Sequence, residues 1–187
     1  MFLLRKPSLR AIEAFLASQR KEKFSYSEVG ATRSQIPSGY KVDHNRVRVG
    51  RGTEVYLRAG ELLSNWRMSD LGWAKAFPER GAIEPGVTVA VLAHHFGFWS
   101  LNASRIIYVL REERRFGFAY GTLQDHAEQG EERFSIEWAG DDWVWYDIFA
   151  FSRPRQWLAK VARPISRMLQ KRFARDSMAV MSEAIRN

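Results

Sequence analysis

Histidine and glutamate side chains are concentrated in one short stretch of the sequence. His126 is followed closely by Glu128, Glu131 and Glu132. A histidine with carboxylates nearby can act as a general acid–base pair or as a weak metal site. The same residues also fit a solvated acidic turn, because charged side chains in loops are usually exposed. His126 and Glu131 are therefore candidate catalytic residues, and both interpretations stay open.

Glu131 has a further interpretation, which depends on the strand expected to follow this turn. On that strand Glu131 and Arg133 share one face, opposite Phe134. If their face is buried, the Glu131 carboxylate needs a partner, which Arg105 or Arg153 could supply. A structural ion pair is thus an alternative to a catalytic role.

The segment that precedes the glutamates alternates bulky and small residues. One face of a predicted strand at 115–123 carries Phe116, Phe118, Tyr120 and Thr122. The other face carries Gly117, Ala119 and Gly121. Small residues in a row let another group approach the backbone closely, and that group is either a ligand or a packing side chain such as an indole.

Other motifs with recognised chemistry are missing from the sequence. His94 and His95 are neighbours, so on a strand they point to opposite faces and cannot bind one metal together. The chain has no cysteine, which excludes disulfides and thiolate metal sites. Gly50-Arg51-Gly52 is too short for a dinucleotide fingerprint. We expect neither a metal nor a cofactor.

Periodicity predicts the elements that must position these residues. A chain of 187 residues is most simply one domain with a substantial core. Helices are predicted over 8–20, with Ser8 as N-cap, and over 53–67. Strands are predicted at 24–29, 40–49, 87–96, 98–111, 115–123, 132–139 and 142–151. Successive strands this close in sequence should pair antiparallel.

A long helix over residues 155–185 is predicted to end the chain. One side of it is apolar, formed by Trp157, Val161, Ile165, Met168, Leu169 and Phe173. Pro164 should kink this helix or split it. Wrapping the curved antiparallel sheet around the helix buries that side, which gives an α+β helix-grip fold with a short N-terminal helix. We expect an N-terminal basic extension over 1–23 and one helix-grip domain over 24–187.

Several motifs resemble the signature of an uncharacterised bacterial and plant family, a domain of unknown function. They are GFAYGTL (117–123), His126, GEERF (130–134), AFSRP (150–154), YSEVGAT (26–32), VGRGTEVYLRA (49–59) and the region 66–73. That family is grouped with the START-like, pollen-allergen-like superfamily, abbreviated SRPBCC. The resemblance implies a helix-grip fold and a cavity of the kind that commonly holds apolar ligands. It implies no catalytic residue.

The excess of positive over negative charge lies at the two ends of the chain. The net charge is +8, yet residues 24–152 are mildly acidic, so residues 1–23 and 153–187 supply the excess. Arg163, Arg167 and Lys171 lie four apart and share one helical face. That face is either solvated or a contact for nucleic acid or an anionic membrane surface. The short apolar start is no signal peptide, so a cytoplasmic protein is the default expectation.

The function predicted from these features is binding of a small hydrophobic or amphipathic ligand between the sheet and the C-terminal helix. The predicted pocket residues are Arg105, Tyr120, Thr122, Trp145, Asp147 and Arg153. A cyclase or hydrolase that uses His126 or Asp147 as a base in the same cavity is the second hypothesis. An electrostatic adaptor that docks its basic helix on nucleic acid or membrane is the third.

Overall fold

The computed structural model describes residues 1–79, 81–126, 128–154 and 163–186. The α-helices of this part of the chain are α1 (Leu9–Gln19), α2 (Gly52–Ser64) and α3 (Arg163–Arg186). Its strands are β1 (Phe2–Leu3), β2 (Lys41–Arg51), β3 (Ala74–Pro78), β4 (Thr88–His95), β5 (Phe98–Glu112), β6 (Arg115–Thr122), β7 (Glu128–Trp138) and β8 (Trp143–Pro154). Single turns of 3-10 helix lie at Ala31–Arg33 and Arg67–Ser69.

The strands form one antiparallel sheet with the order β2-β8-β7-β6-β5-β4-β3, and β1 pairs with β5. The predicted run of five antiparallel strands is confirmed as β4 to β8. One prediction differs from the structure, because residues 24–29 form a single bridge from Phe24 to Leu123 instead of a strand. The short strands β1 and β3 were not among the predicted strands.

One face of the curved sheet, here called the inner face, packs against α2 and α3. The sheet contributes buried side chains that include Ile106, Phe118, Phe134, Ile136, Tyr146 and Ile148. The two helices contribute Ala59, Leu63, Ala174, Met181 and Ile185. The C-terminal helix is therefore held by the sheet, and the helix-grip prediction is confirmed.

The apolar side of α3 differs in part from the prediction. Phe173 packs against the core, whereas Ile165 and Met168 are each 48% exposed. Trp157 and Val161 lie outside the described residues. Pro164 lies in the first turn of α3, where a missing N–H costs little. The residues directly before α3, where the predicted kink would form, are also outside the described part.

The other face of the sheet, here called the outer face, carries α1 and the segment 24–36. α1 begins at the predicted cap, where the Ser8 hydroxyl accepts a hydrogen bond from Ala11 N at 3.3 Å. Its apolar side buries Ile12, Phe15 and Leu16 against β4 and β5. The sheet is therefore covered on both faces over part of its area.

Arg105 of β5 lies on the outer face and contacts the end of α1. Its guanidinium donates to the backbone carbonyls of Gln19, Arg20 and Glu22, each at 2.8 Å. Carbonyls at a helix C-terminus lack partners within the helix, so a cation there is favourable. Arg105 is thus a helix-capping residue, and the prediction that it lines the inner pocket is wrong.

Candidate functional site

A cleft of about 370 Å³ opens where the first residues of β2 and the last residues of β8 meet the first two turns of α3. Its lining residues are Gly39, Lys41, Glu128, Ser152, Arg153, Pro154, Ser166, Arg167 and Gln170. Charged and polar groups dominate this set, and its cations outnumber its one carboxylate. The cleft therefore favours a ligand with a negatively charged or strongly polar group.

The strand register places a row of inner-face residues next to this cleft. Tyr120 on β6 pairs with Glu132 on β7, Glu132 pairs with Ala150 on β8, and Ala150 pairs with Asp43 on β2. Ser152 lines the cleft two residues beyond Ala150. Because residues two apart on a strand share a face, the row lies on the same face of the sheet as Ser152 and next to the cleft, two residues further along the strands.

Glu132 is the titratable group of this row with the most perturbed environment. Its carboxylate accepts a hydrogen bond from Tyr120 Oη at 2.9 Å. Burial raises the pKa of Glu132 from its usual 4.5 to about 7, the hydrogen bond from Tyr120 opposes this shift, and the nearby Asp43 adds to it. Glu132 therefore exchanges its proton near neutral pH, as a general acid or base must.

Two polar contacts fix α3 to the sheet beside the cleft. Arg167 forms a two-pronged ion pair with Asp43, in which Nη2 lies 2.7 Å from Oδ1. Gln170 donates to Ser152 Oγ at 3.1 Å. Arg167 therefore faces the sheet, and the predicted solvated stripe of α3 does not include it.

Aromatic side chains fill the space below the row. The Phe134 ring lies 5.5 Å from the Tyr120 ring and 6.2 Å from the Phe173 ring. Tyr146 and Ser177 are fully buried, and their hydroxyls lie 2.8 Å apart, which joins β8 to α3. The sequence predicts an open pocket lined by aromatics. In the structure these rings pack on one another, and most of the residues that line the cleft are of polar type.

Three residues predicted to bind ligand lie in this region. Tyr120 belongs to the row, and Arg153 lines the cleft with its guanidinium 4.4 Å from the centre of the Tyr40 ring. Thr122 is buried, and its hydroxyl lies 2.6 Å from Ser25 Oγ. Thr122 therefore has a structural hydrogen bond that a ligand would have to replace.

His126 lies in the turn between β6 and β7. Its Nδ1 accepts a hydrogen bond from Glu128 N at 3.0 Å. Burial lowers the pKa of His126 from 6.5 to about 4, and the positive N-terminus contributes to the shift. The imidazole is therefore neutral at pH 7, and the residue does not line the cleft.

Glu131 lies on the outer face, away from the cleft, and is 3% exposed. It accepts hydrogen bonds from Tyr26 Oη at 2.9 Å, Gly30 N at 2.7 Å and Thr32 N at 3.1 Å, and also from Thr32 Oγ1. The predicted arginine partners, Arg105 and Arg153, make other contacts, so that prediction is wrong. A carboxylate with this many donors anchors the segment 24–36 to the sheet.

Asp147 and Trp145 also lie on the outer face, because Tyr146 between them points inward. Asp147 is 2% exposed, 2.5 Å from His44 Nε2 and 3.3 Å from Arg133 Nη2. Trp145 lies under the guanidinium of Arg46 at 4.3 Å. The prediction that both residues face the sheet–helix cavity is wrong.

The sequence assigns no candidate role to Asp43, Lys41 or Gln170, and it places Glu132 only in the cluster around His126. A signal for Glu132 was present, since it alternates with Phe134 and must share its face. Lys41 and Asp43 follow from the alternation of β2 only once the pairing of β2 with β8 is known. In the described part of the chain, every helix is too short or too polar to cross a membrane.

Comparison with known proteins identifies the family. A domain of unknown function, DUF1990, matches residues 25–180. The UPF0548 protein of Dictyostelium discoideum is 34% identical over 207 residues, which cover 99% of this chain and 96% of that protein. The UPF0548 protein of Deinococcus radiodurans is 35% identical over 199 residues, which cover 98% of each chain.

A solved structure shows the same architecture. The crystal structure of Ara h 8.0201 superposes with a TM-score of 0.52 at 12% identity, over 80% of this chain and 100% of that one. At this identity the likeness shows the fold alone, a helix grip. With this fold and with relatives matched along nearly its whole length, the chain belongs to the DUF1990 (UPF0548) family.

Proposed function

We propose that this protein binds a small amphipathic molecule in the cleft between β2, β8 and α3. The observation that carries the proposal is the cleft itself, whose described lining has one carboxylate, Glu128, and the cations Lys41, Arg153 and Arg167, the last of them paired with Asp43. An anionic group of the ligand would contact Lys41 and Arg153. Its apolar part would point toward Ala150 and the aromatic rings below.

The row beside the cleft supports an amphipathic ligand over a purely apolar one. Glu132 and Ala150 keep partial contact with solvent although they lie on the inner face of the sheet. Ala150, which lies between Glu132 and Asp43 in the strand register, has a small side chain. A ligand that enters here meets a carboxyl group that can accept or donate a hydrogen bond near pH 7.

A fluorescent probe with an anionic sulfonate and an apolar ring system, 8-anilinonaphthalene-1-sulfonate, tests this proposal. We expect saturable binding that dodecanoate displaces. Replacing Lys41→Ala removes a cleft cation and should weaken binding about threefold to tenfold. Replacing Ser166→Trp fills the cleft and should abolish binding.

Matched variants outside the cleft provide the controls. Lys75→Ala removes an exposed lysine of β3, and Met168→Trp places an indole on the exposed side of α3. Both should bind the probe like the parent protein. Equal binding by Ser166→Trp and the parent would place the probe elsewhere and contradict the proposal. Native mass spectrometry of the purified chain would then identify any ligand that co-purifies.

An enzymatic role in the same cleft is the second candidate, and Glu132 is the observation that favours it. A carboxyl group with a pKa near 7 and a tyrosine hydrogen bond has the properties of a general acid–base catalyst. For a cyclase or hydrolase, Glu132→Gln would keep probe binding and lose turnover of a candidate substrate. A variant with unchanged turnover would exclude Glu132 as the catalytic group.

A further inference from the structure

A second cleft, of about 360 Å³, lies on the outer face of the sheet, opposite the first. Its lining residues are Arg33, Leu110, Glu112, Arg115 and Arg133. They come from separate parts of the fold, namely the 3-10 turn of segment 24–36, the β5–β6 hairpin and β7. The fold therefore brings three guanidinium groups together, although their like charges oppose this arrangement.

Arg33 and Arg133 are held by hydrogen bonds to backbone carbonyl groups. The Arg33 guanidinium lies 3.7 Å from the centre of the Tyr108 ring, and its Nη2 donates to Val109 O at 3.2 Å. Arg133 donates from Nη1 to Thr32 O at 2.8 Å. Side chains fixed in this way lose little further entropy when a ligand binds.

The nearby carboxylates do not fully neutralise these arginines, because two of them are shared with other basic side chains. Asp147 lies 3.3 Å from Arg133 Nη2 and also contacts His44. Glu137 lies 3.2 Å from Arg115 Nε and is shared with Arg46. The remaining carboxylate at the cleft, Glu112, lies at its exposed end.

Two hydrogen-bond donors here are unsatisfied. Arg133 Nε and Arg115 Nε are buried, and neither makes a hydrogen bond among the described residues, although Arg115 Nε lies 3.2 Å from Glu137 in an ion pair. Buried donors of charged groups are costly to leave unpaired, so the hydrogen-bonding capacity of these guanidinium groups is not used up by the protein's own acceptors.

We propose that this outer cleft binds the phosphoryl group of a small phosphorylated molecule. Guanidinium forks match the tetrahedral oxygens of a phosphoryl group, and Asp147 and Glu137 are each shared with a further basic side chain, so donors of the three arginines stay available. The volume exceeds that of a phosphate ion, which leaves room for the rest of the molecule beside Leu110. Glu112 would accept a hydrogen bond from a hydroxyl of that molecule.

Isothermal titration calorimetry with glycerol 3-phosphate, at constant ionic strength, tests this site on the full chain. Arg33→Ala and Arg115→Ala should each weaken binding about tenfold or more, because each removes charge-assisted hydrogen bonds. Arg33→Lys should lose less affinity than Arg33→Ala. Inorganic phosphate should bind more weakly than glycerol 3-phosphate, and glycerol should not bind.

The control is Arg114→Ala, in the same hairpin, where the guanidinium lies 4.5 Å from the centre of the Trp138 ring and outside the cleft. It should bind like the parent protein, and Ser166→Trp in the first cleft should do so too. Thermal melting verifies that each variant is folded. The proposal is overturned by undetectable binding to the parent protein, or by equal losses in Arg114→Ala and Arg33→Ala.

Discussion

Glu131 and Glu132 are neighbours in sequence, yet they lie on opposite faces of β7 and in opposite chemical situations. Glu131 is surrounded by hydroxyl and backbone donors on the outer face. Glu132 has one donor, Tyr120, and burial raises its pKa to about 7. A buried carboxylate with a full set of donors stabilises a structure, whereas one with few donors is free to take part in binding or proton transfer.

The largest effect should follow from removing the outer-face carboxylate. Glu131→Ala leaves Tyr26 Oη, Gly30 N and Thr32 N buried without an acceptor, so we expect a loss of about 3 kcal/mol in the free energy of unfolding. Glu132→Ala leaves only the Tyr120 hydroxyl and should cost about 1 kcal/mol. Urea denaturation measures both. Similar losses for the two variants would remove the distinction between the faces.

A smaller effect is expected where the outer-face segment touches the strand beneath it. A Cβ at Gly121 would overlap with Tyr26 Oη, whose ring is held by its hydrogen bond to Glu131. Gly121→Ala should therefore lower the free energy of unfolding by about 2 kcal/mol. Gly140→Ala is the control, since no atom lies within 4 Å of the position that its new methyl group would take. Equal stability of the two variants would mean that Tyr26 moves aside freely.

The smallest expected effect is a dependence of the unfolding free energy on pH that comes from Glu132. The folded protein holds the Glu132 proton more tightly than the unfolded chain, since the pKa rises from 4.5 to about 7. Between these values the folded state binds more protons, so this contribution to stability is present at low pH and is lost as pH rises toward 7. Because Glu132 keeps partial contact with solvent, we expect a loss of about 1 kcal/mol.

Comparing the unfolding free energy of Glu132→Gln with that of the parent protein at several pH values isolates this contribution. The variant should gain stability relative to the parent as pH rises from about 4.5 to about 7 and then stay constant. A constant difference across this range would show that Glu132 keeps an ordinary pKa.

Alternation along single strands predicted much of the fold. It separated Phe118 and Tyr120 from Gly117 and Gly121 correctly, and the structure places a tyrosine ring over Gly121. Alternation states which residues of one strand share a face, but not which faces of different strands coincide. That depends on cross-strand register, which is why Asp147 was placed in the wrong cavity.

The environment of Glu131 could not be predicted from the sequence, for a different reason. Two of its donors are the backbone N–H groups of Gly30 and Thr32, which leave no mark in side-chain composition. The segment that supplies them has no hydrophobic periodicity, so its folding back over the sheet cannot be read from a pattern. The second cleft was hidden likewise, because Arg33 reaches it from that segment.

The contact of Arg105 with the end of α1 also affects the local unfolding of this helix. One guanidinium from the middle of the sheet holds carbonyls at three successive points of the chain as it leaves the helix. Detaching the helix would break these three charge-assisted hydrogen bonds. Local fraying of α1 is thereby discouraged, and its amide hydrogens should exchange with solvent only when the sheet itself separates.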